Sequence, residues 1–145
     1  MNRPITLQAA SSADMPFLLS LRKLTMTEHL LRVGLPVDDD AHDQRIRLHF
    51  EDATIICEGS ERIGLLKLSR AVDEWHLHQI QILPDHQGNG VGRLVLCTVL
   101  EEARLERVPV SLSVVHGNPA RRLYEQLGFR PVAETSIDAK LIWRP

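Results

Sequence analysis

The stretch Gln87-Gly88-Asn89-Gly90-Val91-Gly92-Arg93 constrains this chain more than any other. It follows an apolar, strand-like run ending Ile80-Gln81-Ile82-Leu83-Pro84 and precedes a helix-like run that begins near Gly90. Glycines at three alternate positions leave the backbone N–H groups uncovered. At a helix N-terminus such groups form a ready site for a pyrophosphate. The spacing excludes two phosphate loops. A dinucleotide fingerprint, G-x-G-x-x-G, fails because position 93 is Arg, and no G-x-x-x-x-G-K-[ST] run exists. What stands is Q-x-x-G-x-G between a strand and a helix. On these seven residues alone, ordinary turn chemistry remains an open reading.

A second motif narrows the choice. Asn118-Pro119-Ala120-Arg121-Arg122-Leu123-Tyr124-Glu125-Gln126-Leu127-Gly128-Phe129 follows another strand-like run, Val110 to Val115. Asn118 suits a helix N-cap and Pro119 a first helical position. Leu123 and Leu127 share a helical face, and Gly128 is a natural stop. Together the two motifs resemble those of the GNAT superfamily of acyl-CoA-dependent N-acetyltransferases. That family shows Q/R-x-x-G-x-G/A after its fourth strand and N-x-x-A-x-x-x-Y-x-x-x-G-F after its fifth; this chain keeps A-x-x-x-Y-x-x-x-G-F from Ala120 to Phe129, with Asn118 one residue nearer the Ala. The resemblance is strongest over about residues 75 to 130.

Hydrophobic periodicity extends the reading over the chain. Ile5 to Ala9 reads as a strand. Ser11 to Asp14 offers N-caps for a helix with Phe17, Leu18, Leu21 and Leu24 on its apolar face, broken by Gly34 and Pro36. Asp38-Asp39-Asp40 opens a second helix, with Ile46, His49 and Phe50 as its apolar face. Ala53 to Cys57 and Ile63 to Ser69 are strands around a turn at Glu58 to Glu61. Trp75 to Leu83 is the fourth strand. Val91 to about Glu106 is the central helix, burying Val91, Leu94, Val95, Leu100 and Ala103. Pro109 to Val115 is the fifth strand, and after the short helix Phe129 to Glu134 and Ala139 to Trp143 form a hairpin. The order β-α-α-β-β-β-α-β-α-β-β makes an α+β domain over residues 1–145. The resemblance implies the GNAT fold: a mostly antiparallel sheet of six to seven strands, about four flanking helices, and parallel fourth and fifth strands that splay apart around the acyl-CoA pantetheine. A different α+β topology is the structural alternative.

The 145 residues suffice for one sizeable core. A net charge of −2 and a pI near 6.4 argue against a broad nucleic-acid or anionic-membrane footprint. Arg121, Arg122 and Arg130 form one small basic cluster, either a solvated face or a contact for cofactor phosphate. Cys57 and Cys97 lie in apolar surroundings and read as small buried hydrophobes in a reducing compartment, with a cysteine nucleophile as the weaker alternative. The first 20 residues lack a signal-peptide pattern and no run reaches membrane-spanning length, so a cytoplasmic location is expected.

Acetyl transfer to an amine needs a held cofactor, a neutral amine, donors for the oxyanion and a proton for the departing thiolate. The resemblance assigns these roles. Acetyl-CoA is the co-substrate, and no metal is expected. Backbone N–H groups of Gln87, Gly88, Asn89, Gly90, Val91, Gly92 and Arg93 would hold the pyrophosphate. Pantetheine would hydrogen-bond the backbone near Ile82 and Leu83, and Asn118 would contact the cofactor from the other wall. The N–H of Ile82 would face the oxyanion. Tyr124, the only tyrosine, would protonate the sulfur, since a phenol stays protonated at neutral pH. The bland reading of Tyr124 is ring packing.

His76 and His78 lie two apart and so share a strand face. A neutral imidazole can take the ammonium proton, directly or through water. The pair resembles one in the arylalkylamine N-acetyltransferase branch, with His78 favoured as base; histidines on a half-exposed strand are also often mere surface residues. Gln79 and Gln81 cannot act as bases. Ser113 stands where the ribosomal-protein N-terminal acetylases carry Glu, a departure from that branch. In this family the first two helices wall the acceptor pocket, which makes Met26, His29 and Arg32 candidates for substrate contact, with solvent-facing roles as the alternative. The absence of an added substrate domain favours a small-molecule amine over a protein lysine or N-terminus. A non-catalytic acyl-CoA sensor is the competing class. A nucleic-acid acceptor is disfavoured by the mild acidity. A homodimer through the outer sheet or final hairpin is common in the family.

Overall fold

The computed structural model describes residues 3–145. Its elements run β1 (Ile5–Ala9), α1 (Met15–Arg32), α2 (Asp39–Arg47), β2 (Ala53–Glu58), β3 (Glu61–Arg70), β4 (Trp75–Ile82), α3 (Val91–Glu106), β5 (Val110–Val115), α4 (Ala120–Gln126), β6 (Arg130–Glu134) and β7 (Asp138–Trp143). The sheet has seven strands in the order β1-β2-β3-β4-β5-β7-β6. Every pairing is antiparallel except β4 with β5. This is the predicted element order and the predicted mixed sheet.

Each face of the sheet is covered. α3 lays Val91, Val95, Leu96, Val99, Leu100 and Ala103 against Leu66, Leu68, Leu77 and Leu112, while Leu123 of α4 and Leu127 just after it pack at the edge of the same cluster. On the opposite face, Leu18 and Leu21 of α1 and Ile46 of α2 close over Ile55, Cys57 and Leu65. Three expected core positions lie elsewhere. Leu94 and Leu24 are exposed, because each sits on the flank of its helix beyond the buried stripe. Cys97, on the same solvent side of α3, is exposed too, whereas Cys57 is buried as expected. His49 and Phe50 fall beyond the end of α2; His49 adopts a left-handed backbone (φ 55°) that turns the chain into β2. Among the described residues no helix is long and apolar enough to cross a membrane.

Two irregularities in β4 shape the cleft. The pairing with β5 covers only Trp75↔Val110, His76↔Ser111 and Leu77↔Leu112. Beyond it β4 continues beside β3 and β5 beside β7, so a gap opens between the two parallel strands. At the same point Lys67 pairs with Gln79 while Leu68 pairs with Leu77, so His78 is an extra residue, a β-bulge. The bulge reverses the strand's alternation. Trp75 and Leu77, then Ile80 and Ile82, join the α3-side core, which leaves His76, His78, Gln79 and Gln81 on the side of α1 and α2. Gly64 of β3 sits across from Ile82, and a Cβ there would lie 2.4 Å from the Gln81 carbonyl oxygen. No larger residue fits.

Candidate active site

A cavity of about 630 Å³ fills the gap between β4 and β5 and extends beneath α1 and α2. Met26, His76, His78, Asn118 and Tyr124 all line it. His29 and Arg32 do not. Arg32 donates to the Gly117 carbonyl (3.0 Å) and reaches Glu28, and so ties α1 to the loop after β5. His29 is half-buried, with Nδ1 unpaired. Both stand on α1 outside the lining of the cavity.

Two serine-bridged chains orient the histidines. The hydroxyl of Ser69 donates to Asp52, so it must accept from His78, whose Nε2 lies 2.7 Å away. The proton of His78 is thereby fixed on Nε2 and its lone pair on Nδ1. In the same way Ser111 donates to Glu74 (2.9 Å) and accepts from His76 Nδ1 (2.8 Å), which leaves Nε2 of His76 as the free acceptor. The two rings meet edge-on with centroids 4.7 Å apart, and His49 stacks on His78 at 4.3 Å. Burial pushes the pKa of His78 down to about 4, helped by His76, His49 and Lys67 and opposed by Asp52. His76 is also lowered, mainly by burial, although Glu74 pulls the other way. Both are neutral near pH 7. His49, Asp52 and His78 each offer a ligand atom within 4.8 Å of the others, but the Ser69 hydroxyl already engages two of them.

Tyr124 stands on the opposite wall. Its ring packs on Phe129 at 5.8 Å, it is 7% exposed, and its hydroxyl has no protein partner among the described residues. Burial holds the phenol above its ordinary pKa. The side chain of Asn118 accepts from Ala120 N–H (2.9 Å) and so caps α4, which begins one residue after the predicted Pro119.

The glycine loop lies at the other end of the gap. Gly88 and Gly90 have φ of 82° and 80°, and nothing lies within 4 Å of where a Cβ would stand. Among the described residues, the N–H groups from Gly88 to Arg93 find no protein acceptor. The first turn of α3 carries no acidic residue, so its dipole is free to meet an anion. Gln87 plays a structural part, since its Nε2 donates to the Ile82 carbonyl (2.8 Å) and ties the loop to β4. Arg93 donates to Gln126 (2.7 Å) and fastens α3 to α4. The N–H of Leu83 donates to Ile63 (2.8 Å), on the β3 side. Strand alternation then turns the N–H of Ile82 toward the gap, so Ile82 and not Leu83 offers the donor. Of the basic cluster, Arg121 pairs with Glu125 and Glu134, and Arg130 binds the Glu125 and Phe129 carbonyls. Only Arg122 has no such partner among the described residues.

Residues 18–129 match the sequence model of the acetyltransferase (GNAT) family. The chain belongs to this family. A ribosomal protein bS18 alanine N-acetyltransferase from Haemophilus influenzae is 36% identical over 78 residues, covering 53% of this chain and 53% of that protein. The chain thus spans about half the length of the curated relative it matches. Among solved structures, an acetyltransferase from Thermus thermophilus superposes with a TM-score of 0.77 at 24% identity, each chain covered over 100%. The PaiA N-acetyltransferase from Thermoplasma acidophilum, solved in complex with coenzyme A, gives 0.76 at 14% identity, with 98% of this chain and 99% of that chain covered. Both are likenesses of fold.

Sequence reasoning missed Ser69, Asp52, Ser111, Glu74 and His49, because their roles depend on strand register and on the turn after α2. It also passed over Arg22, a charged residue flanked by Leu18 and Leu21 on the buried side of α1. A cation on an apolar stripe was the signal that could have found it.

Proposed function

We propose that the protein transfers an acetyl group directly from acetyl-CoA to the primary amine of a small molecule. One observation carries this reading. The gap between β4 and β5 gathers on its walls a free imidazole nitrogen, a phenol without a protein partner and an outward-turned N–H, with the vacant N–H array of Gly88 to Arg93 beside it.

Each group has its role. The N–H groups of Gly88 to Arg93 and the α3 dipole hold the pyrophosphate. Asn118, pinned by its own cap, lines the opposite wall. The imidazole of His78 accepts the amine proton at Nδ1, with His76 next in line, and the Asp52–Ser69 pair holds its tautomer. The N–H of Ile82 meets the negative charge that develops on the carbonyl oxygen. Tyr124 donates its proton to the departing sulfur. Because burial raises the phenol's pKa, it holds that proton at every working pH.

The second reading is a protein N-terminal amine as acceptor, favoured by the partial match to the bS18 alanine acetyltransferase. Ser113, in place of the Glu that branch carries on its fifth strand, counts against it. The same overall reading includes a cytoplasmic site of action and a homodimer through a sheet edge. The exposed β6 offers such an edge, and light scattering would test the dimer.

Tyr124→Phe tests the enzymatic reading. It removes one hydroxyl and leaves the ring against Phe129. Turnover falls about a hundredfold to ten-thousandfold, while the rise in melting temperature caused by acetyl-CoA stays. Unchanged turnover removes Tyr124 as the acid. A chain that binds acetyl-CoA and turns over no amine is a sensor.

A further inference from the structure

The cavity floor carries more positive charge than the proposed chemistry uses. Arg22 is 4% exposed and lines the cavity, yet no carboxylate pairs with it among the described residues. Its Nε–H donates instead to Nδ1 of His42 (3.1 Å), and Nε2 of His42 lies 3.2 Å from Thr27 Oγ1. His42 is itself 1% exposed and held neutral by burial and by Arg22. An imidazole therefore fixes the guanidinium without cancelling its charge, and the outer nitrogens of Arg22 have no protein acceptor among the described residues.

Two further cations line the same space. Arg45 makes no ion pair among the described residues, and Lys67 spends its ammonium on three backbone carbonyls. The only acidic side chain on the lining, Asp138, already accepts from Thr135. Burying a guanidinium without a counter-charge is costly, and burial together with Arg45 drags Arg22 down to about 10. A fold gains nothing from that arrangement unless an anion completes it. Two buried acceptors on residues that line the cavity, Gln79 Oε1 and Gln81 Oε1, lack partners among the described residues. They suit N–H donors on the same ligand. A volume near 630 Å³ fits a small molecule.

We infer that Arg22, assisted by Arg45 at the rim, recognises a carboxylate, so that the acceptor is a small amine of amino-acid type. A bidentate guanidinium–carboxylate pair fits the planar fork of arginine. The inference rests on the acetyl-transfer reading of the cleft and narrows its acceptor: a peptide N-terminus, whose carboxyl is an amide, lacks the required group.

The test compares matched triplets: free amino acids with small, acidic and aromatic side chains, their carboxamides, and their decarboxylated amines. Coenzyme A release is measured for wild type, Arg22→Gln and Arg45→Ala, and melting temperature is measured with each amine, with and without coenzyme A. The inference expects kcat/KM for the best free acid to exceed that of its amide by about thirtyfold. In Arg22→Gln that ratio falls toward one through KM, and in Arg45→Ala it falls part of the way. If Arg22→Gln does not fold, Arg45→Ala and the loss of preference at high salt carry the test. Equal or better turnover of amides overturns the inference and leaves acetyl transfer standing. Should no amine release coenzyme A, the melting data decide: a rise with free acids alone that Arg45→Ala diminishes supports carboxylate binding, and no rise overturns it. A lack of any response to acetyl-CoA counts against the acetyl-transfer reading separately, because the amino-acid melts without coenzyme A do not depend on the cofactor site.

Discussion

Lys67 is 2% exposed, and its ammonium donates to the carbonyls of Arg45 (3.1 Å), Ile46 (2.8 Å) and Leu48 (2.8 Å). These are carbonyls at the C-terminal end of α2, which have no partner within the helix. A cation also suits that end of the dipole. Lys67→Met keeps the apolar stem and removes only the charged tip. Hydrogen bonds to a charged group contribute about 1.5–3 kcal/mol each, so the three together are worth about 5–9 kcal/mol. Against this stands the cost of burying the ammonium beside Arg22 and Arg45, visible in a pKa lowered from 10.5 to about 8, or roughly 3 kcal/mol. The net loss on Lys67→Met is about 2–6 kcal/mol. For a chain of this size it lowers Tm by about 5–20 °C. Differential scanning calorimetry near pH 7, where Lys67 is mostly charged, measures it. A drop below about 2 °C, or a rise such as some buried ionic groups give when replaced by apolar ones, refutes the view that Lys67 anchors α2.

Because the pKa of His78 is near 4 and not 6.5, the acid limb of kcat/KM due to this group lies near pH 4, and a limb near 6.5 that vanishes in His78→Gln would contradict its assigned environment. Between about pH 4 and 6.5 the folded protein binds fewer protons than the unfolded chain, so His78 supports the fold above 6.5 and that support is lost as pH falls through 4. His78→Gln flattens the decline seen in acid melts. Gly90→Ala forces an L-residue to φ 80°, costing about 1–2 kcal/mol, and abolishes most of the acetyl-CoA-induced rise in Tm; a preserved rise would remove the loop from the binding site. A maleimide reagent labels Cys97 rapidly and Cys57 only on unfolding, which mass mapping of the native protein reads directly.

The order of elements was legible in the sequence, because helices and strands here carry strong local signals. Pro84 and the glycines mark the end of β4, the run from Asn118 through Ala120 to Tyr124 marks α4, and the aspartates at 38 to 40 mark the start of α2, whose cap is the Asp38 carboxylate on Ala41 N–H. The cleft was legible only in outline. A bulge at His78 reverses the strand's facing, and its trace in the sequence is a slip of the apolar alternation from Trp75 and Leu77 to Ile80 and Ile82. Ser69 and Ser111 meet the histidines across strand pairs separated by 9 and 35 residues, and register of that range is not written in local pattern. The bond of Arg32 to the Gly117 carbonyl spans 85 residues and was equally invisible in local pattern.

On the reading proposed above, the gap between β4 and β5 binds acetyl-CoA and delivers its acetyl group to an amine. Coenzyme A release from acetyl-CoA, followed across arylalkylamines, polyamines, amino acids, aminoglycosides and lysine peptides, tests it most directly, with thermal melting in acetyl-CoA on the same sample. The predicted result is a higher Tm with acetyl-CoA and release that depends on an amine and falls in Tyr124→Phe. No rise in Tm with acetyl-CoA, together with no coenzyme A release with any amine, would contradict it.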